Sequence, residues 1–575
     1  MLPDPCPITR YDSFMPVSPV RRASVVLACA LLLGACADTR EPRQAASSDP
    51  VPAGLASRGE LGSLDFANSG SDAAQEPFLR GLAALHSFWY EEAVAQFRRA
   101  QEIDRDFAMA YWGEALAHTR FLWNREDVDA ARTALGRLAP TVAERAAKAP
   151  TARERDYLGT VEALYGAGDR VKRYVAFAEA MEDLAGRYPD DEDAVALHAL
   201  TLQLVTRPFE RNHRRIRSAA LLEELVDQHP RHPGVLHYLL HAYDDPVLAP
   251  LGLRAASIYA EVAPAAHHAR HMPSHIFLQL GLWDRVAASN EDAFQVSVDW
   301  ADQNGLDASR HDFHSLSWLG YAYLQQGRYG ETEDALETLA RAPRAAGSDS
   351  VVAHSHEMGP EQNLHELTGR YLIETRRWST PAMDPGSTGR LLDASLGGTN
   401  ATLVLAVALG AAELGEAPRA REAAALLAEL RQKEEQRGNQ ELAARTAIME
   451  RQAAGMLAFR QGQVDEALRL LQEAVGIESR MPLPSGPPHP AKPAQELLAE
   501  VLLRLGRPDD AAQLFELALL RTPKRALSLL GAARAAAALG DEVSARAHYG
   551  ELLEVWSGAD ASVEGLSEAR SFSDS

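Results

Sequence analysis

The chain has 575 residues, 46% hydrophobic and 24% charged, with 80 acidic against 58 basic side chains and a net charge of −22. So acidic a surface repels nucleic acid and anionic headgroups, and no nucleic-acid partner is expected. Its three cysteines, Cys6, Cys29 and Cys36, all fall within the first 36 residues. The rest of the chain therefore has no thiol for a disulfide, cysteine-ligated zinc, an iron–sulfur cluster or c-type haem.

Residues 1–36 read as targeting. Arg21 and Arg22 precede an apolar run, Ala23 to Ala35, too short to span a bilayer. The run ends in Leu33-Gly34-Ala35-Cys36, which resembles the lipobox of bacterial lipoproteins. That resemblance implies diacylglycerol (and palmitate) on Cys36, a membrane contact through the lipid alone, and, because Ala37 follows the cysteine, the periplasmic side of the outer membrane. The residues before Met15 read as an upstream extension. Residues 37–72, rich in Ser, Ala, Asp, Pro and Gly, predict a flexible tether.

From 73 to 556 the composition is that of helices. Gly506, Ala511 and Phe515 recur 34 residues later as Gly540, Ala545 and Tyr549, and Gly81, Ala93, Phe97 and Ala100 form a similar unit near the start. This resembles the tetratricopeptide repeat, in which Gly closes the first helix, Ala admits the second and an aromatic fills the gap. The implied fold is all-α, a helix-turn-helix solenoid whose repeats bury their apolar faces on one another. The segments Leu85 to Ala93, Ala108 to Ala115, His271-Met-Pro-Ser-His-Ile276 and Lys492-Pro-Ala-Gln-Glu496 resemble a bacterial group of such repeat proteins. The organisation predicted is a first repeat block at 73–340, an irregular insertion or helical spacer at 341–400, a second block at 401–556 and a disordered tail at 557–575. Pro482 to Pro490 reads as a stiff loop.

The chemistry-bearing signal is a repeated His-x-x-x-His. His237 and His241 are followed 34 residues later by His271 and His275. Residues four apart share a helix face. Neighbouring repeat helices pack about 8–10 Å apart, so the four rings are expected to meet on one ion in the concave groove. Imidazole suits zinc, copper or iron, and such binding is expected to weaken as pH falls through about 6.5. Pro273 threatens the shared face of His271 and His275, and the missing Glu excludes a zincin motif. His86, His311, His314, Asp244 and Asp245 are auxiliary candidates, as ligands or their hydrogen-bond partners. His354, His356 and Glu357 read as a solvated loop, and Glu361 with His365 as a surface pair. There is no phosphate loop, nucleophile elbow or dinucleotide fingerprint. The leading expectation is thus an interaction scaffold taking an envelope protein or peptide in its groove. The alternative is a His-ligated metalloprotein or metalloenzyme.

Overall fold

The alanine- and leucine-rich stretches fold into helices that stack in chain order. The computed structural model describes residues 60–123, 125–204, 211–343, 359–379 and 401–574. Cys36, its lipobox and the histidines at 354 and 356 lie outside the described residues. Within them almost everything is helical; the exception is a two-stranded ladder pairing Thr119–Arg120 with Arg125–Glu126. No described helix is long and apolar enough to cross a membrane.

The repeat positions do what their residue types require. Ala511, Ala518 and Ala545 are fully buried, as are Phe515 and, near the start, Ala93, Phe97 and Ala100. Small side chains let consecutive helices approach, and the aromatic fills the space between them. Gly540 ends the helix Ala526–Leu539 with φ +75°, a left-handed turn that costs glycine nothing. Among the described residues most helices pack on the next, so the chain is an all-α, tetratricopeptide-like solenoid.

The path also folds back on itself. Helix Asp72–His86 touches helix Pro233–Tyr243. Near the other end, Trp283 donates to the Lys524 carbonyl at 2.9 Å, the Ala526 N–H donates to Gln325 Oε1 at 3.0 Å, and Trp556 donates to the Gln325 carbonyl at 3.1 Å. These returns bring distant repeats to the histidine region.

Two boundaries and one side chain differ from expectation. The tether ends early: Leu61 and Phe66 are buried, and Phe66 sits among Phe78, Trp112 and Tyr157. Two apolar side chains in a polar stretch suffice to dock it. The tail is not frayed. Helix Leu566–Asp574 buries Leu566 and Ala569, and Arg534 grips Glu568 at 2.8 Å. The spacer contains a repeat-like helix, Pro360–Thr375, in which His365 is buried rather than forming a surface pair with Glu361.

Candidate metal centre

Helix Pro233–Tyr243 begins with Pro at its first turn and carries His237 and His241 one turn apart. The equivalent stretch of the next repeat is split into His267–His271 and Pro273–Gln279. The proline causes no loss of register. Met272 between them has φ −55° and ψ −36°, so the path stays helical, and Pro273 takes an N-terminal position where its missing N–H is harmless. His271 and His275 accordingly face each other, Nε2 to Nε2, at 3.0 Å.

The four predicted histidines do not form one four-nitrogen group. They divide between two triads, each completed by a third ring: His237, His241 and His268, and His271, His275 and His314. His237 Nε2 lies 3.1 Å from His241 Nε2 and 3.1 Å from His268 Nε2. The triads are neighbours, with ring centroids 5.9 Å apart for both His241–His275 and His268–His271. The rings sit in an interior seam rather than on an open groove: His237 and His271 are fully buried, and His268, His275 and His314 are nearly so. His268 escaped the sequence reading because it sits three residues before His271 and meets the preceding repeat. The His267-His268 doublet was the available signal. His314 comes from helix Phe313–Gln325, capped by Asp312, which also holds His267 at 2.9 Å.

The hydrogen bonds behind the rings fix their tautomers. His237 Nδ1–H donates to the His86 carbonyl at 2.7 Å, and a carbonyl can only accept. His275 Nδ1–H donates to the Asp244 carboxylate at 2.7 Å. His271 Nδ1–H donates to Asn290 Oδ1 at 2.6 Å; the Asn290 amide nitrogen is turned away, donating to the Val286 carbonyl at 2.8 Å. With the proton placed on Nδ1 in His237, His271 and His275, Nε2 is the nitrogen left to offer a lone pair, and Nε2 is the atom turned toward the other histidines. Burial holds His237, His241 and His271 neutral. His237 is pushed down to about 3 by burial, and His241 and His271 lie well below the usual histidine range because of burial and then their imidazole neighbours.

Aromatic walls close the seam. Phe88 packs its ring 4.3 Å from His237 and also against His241 and His268. It does so from φ +54°, a conformation bulky residues rarely adopt. Trp318 lies 4.4 Å from His275 and 4.9 Å from His271.

A third cluster, His86, Asp193 and His232, is a different object. His232 Nδ1 accepts from the Val235 N–H at 3.2 Å, so its proton sits on Nε2 and points at Asp193. A protonated Nε2 cannot ligate. His86 donates to Asp193 at 2.7 Å and meets the Tyr238 hydroxyl at 3.0 Å. His86 serves the first triad through its carbonyl. A Cβ at Gly234 would fall 2.3 Å from the His86 ring, so this close approach requires glycine there.

The other auxiliary residues separate cleanly. Asp244 orients His275. Asp245 pairs with Arg215 at 2.9 Å and accepts the Val247 and Leu248 N–H groups, so it shapes a turn and touches no histidine. His311 follows the short turn Ala308–Arg310, which sends its ring against Phe294, outside both triads.

No family model matches the chain, and no curated protein does. Among solved structures, the human IFIT1 dimer with m7Gppp-AAAA is 14% identical, covering 86% of this chain and 92% of that one, with a TM-score of 0.35. Yeast Tom70 is 11% identical, covering 88% and 96%, with a TM-score of 0.25. The APC/C hetero-tetramer Cut9–Hcn1 is 13% identical, covering 88% and 96%, also with a TM-score of 0.25. Likenesses this distant carry no argument about function.

Proposed function

We propose that this chain is a helical-repeat metalloprotein holding two transition-metal ions side by side, one in each histidine triad. One observation carries the reading: His271 and His275 turn lone-pair nitrogens toward each other at 3.0 Å, with both outer nitrogens committed as donors. Two lone pairs at that distance repel unless a cation lies between them. A proton on one ring would serve equally, and the metal assay below decides between the two. Ligand bonds of about 2.0–2.1 Å in a tetrahedron place nitrogens about 3.3 Å apart, close to the spacing seen. Neither triad includes a carboxylate, which disfavours magnesium, calcium and manganese. Open iron sites usually add one, so copper or zinc fits best. Three ligands per ion leave a position for a further ligand.

Elemental analysis of the full-length protein after exposure to copper and zinc, then dialysis, should find two ions per chain. His237→Ala and His271→Ala should each remove one and together both, with helical content unchanged. A wild-type chain that retains neither metal refutes the reading. Because burial depresses the pKa values of His237, His241 and His271, protons compete weakly there. Retention should therefore persist below pH 6.5, where an exposed histidine site would already be releasing metal.

The interaction-scaffold reading rests on architecture: stacked helix pairs present extended surfaces that suit protein or peptide partners. It is compatible with the metal pair, since the buried triads take no part in such a surface. We also propose acylation at Cys36, on the strength of its charge–apolar–lipobox order. Cys36→Ser should leave the protein in the soluble fraction; an unlipidated wild-type N-terminus by mass spectrometry would exclude it.

A further inference from the structure

A cavity of about 260 Å3 adjoins one triad and not the other. His275 and His314 form part of its wall, while His237, His241 and His268 do not. Its far wall is the proline-rich loop at 482–488. Three donors fasten that loop. Gln279 reaches the Pro484 carbonyl at 2.8 Å, Arg370 the Pro488 carbonyl at 3.1 Å and Arg521 the Pro482 carbonyl at 3.2 Å. Gln279 also donates to Asp244 Oδ1 at 3.2 Å, so one side chain touches both the loop and the carboxylate that orients His275. The loop backbone rests on Trp318: a Cβ at Gly486 would come within 2.7 Å of the indole. The chamber is thus built rigidly, with a metal-ligand face on one side.

Its charge runs against that of the chain. Arg211, Arg370, Arg445 and Arg521 line it, against Glu366, Glu441 and Glu478. Glu366 pairs with Arg370 at 2.8 Å and Glu441 with Arg445 at 2.6 Å. Burial pushes the third carboxyl, Glu478, up to about 7, so it is partly neutral. Arg370 is only 2% exposed, and its Nη1 finds no hydrogen-bond acceptor among the described residues. A buried charged donor left without an acceptor is costly, and an incoming anion relieves that cost.

We infer that this chamber receives a small organic carboxylate, held by Arg370 and its neighbouring arginines beside the metal of the second triad. The first triad, walled by Phe88, then holds an ion that the ligand does not approach. This assignment rests on the two-metal reading and adds to it which ion is served and what class of molecule enters.

The test uses the full-length protein loaded with copper(II) and assayed for metal, then titrated with benzoate by calorimetry, with benzyl alcohol as the neutral comparison. Two ions and one saturable benzoate per chain are expected, with benzyl alcohol binding much more weakly. Ser317, on helix Phe313–Gln325, also lines the chamber; Ser317→Phe fills it and should keep both ions and lose benzoate affinity. Arg370→Met should weaken benzoate by about tenfold or more. If that variant fails to fold because Glu366 is left buried alone, the pair Arg370→Met with Glu366→Gln replaces it, with the same expectation. Benzyl alcohol binding as tightly as benzoate, or benzoate affinity unchanged in Ser317→Phe, overturns the inference. Two ions without benzoate uptake overturn it while leaving the metal pair intact. No metal uptake removes the pair itself, and the inference with it.

Discussion

Replacing Arg525 with Met should destabilise the protein by about 3–5 kcal/mol at neutral pH, the cost expected when one member of a buried ionic group is removed. Arg525 is fully buried among helices from distant parts of the chain. It pairs with Glu374 at 2.7 Å and Glu496 at 2.8 Å and donates to the Tyr321 hydroxyl at 3.2 Å. Lys492 adds a contact to Glu496 at 2.8 Å. Tyr321, Glu374 and Glu496 come from helices Phe313–Gln325, Pro360–Thr375 and Ala494–Arg504, Lys492 just precedes the last of these, and Arg525 stands immediately before Ala526–Leu539. Burial raises Glu374 despite Arg525. Glu496 lies well below the usual carboxylate range, since Arg525 and Lys492 outweigh its burial. Without the guanidinium, two desolvated carboxylates face each other with one lysine between them. The midpoint of urea unfolding measures the loss. Adding Glu374→Gln and Glu496→Gln to Arg525→Met should recover much of it, because the cost lies in the uncompensated charge. A variant as stable as wild type would show that the cluster does not hold these helices together.

Asp244→Ala should weaken metal retention in the second triad by about 10–100-fold, as expected for loss of the group that orients a ligating imidazole. Asp244 fixes the proton of His275 on Nδ1 and so presents Nε2 inward. Burial works against its ionisation, but His275, Arg215 and Gln279 together hold the carboxyl below its ordinary value. Asp244→Asn keeps an acceptor oxygen and should lose less. Competition with a chelator of known affinity reads both variants, and the ion of the first triad should be unaffected, since Asp244 touches none of its rings. Equal retention in Asp244→Ala and wild type would mean that His275 is not a ligand.

The residues of these two predictions differ in how far the sequence revealed them. Lys492 and Glu496 belonged to a segment singled out for its wording, yet nothing marked them as partners of Arg525. That pairing depends on the chain folding back after some 30 residues and on Glu374 arriving from a stretch read largely as spacer. Asp244 was a candidate because it follows His241 closely. Its actual partner is His275, 31 residues away on the next repeat.

By itself the sequence determined the helical class, the repeat register and the pairs His237–His241 and His271–His275. All three depend on helix pitch, which places residues four apart on one face whatever surrounds them. Tertiary structure alone decided how the histidines divide. His268 joins the preceding repeat's pair and His314 the following one, because the stacking of helices sets which Nε2 atoms meet. It also decided which nitrogens face inward, through the His86 carbonyl, Asn290 and Asp244. It docked Phe66 and Leu566 in segments that read as tether and tail. In each case the reason is the same: a contact between residues distant in sequence depends on the packing of whole helices, and local periodicity carries no record of it.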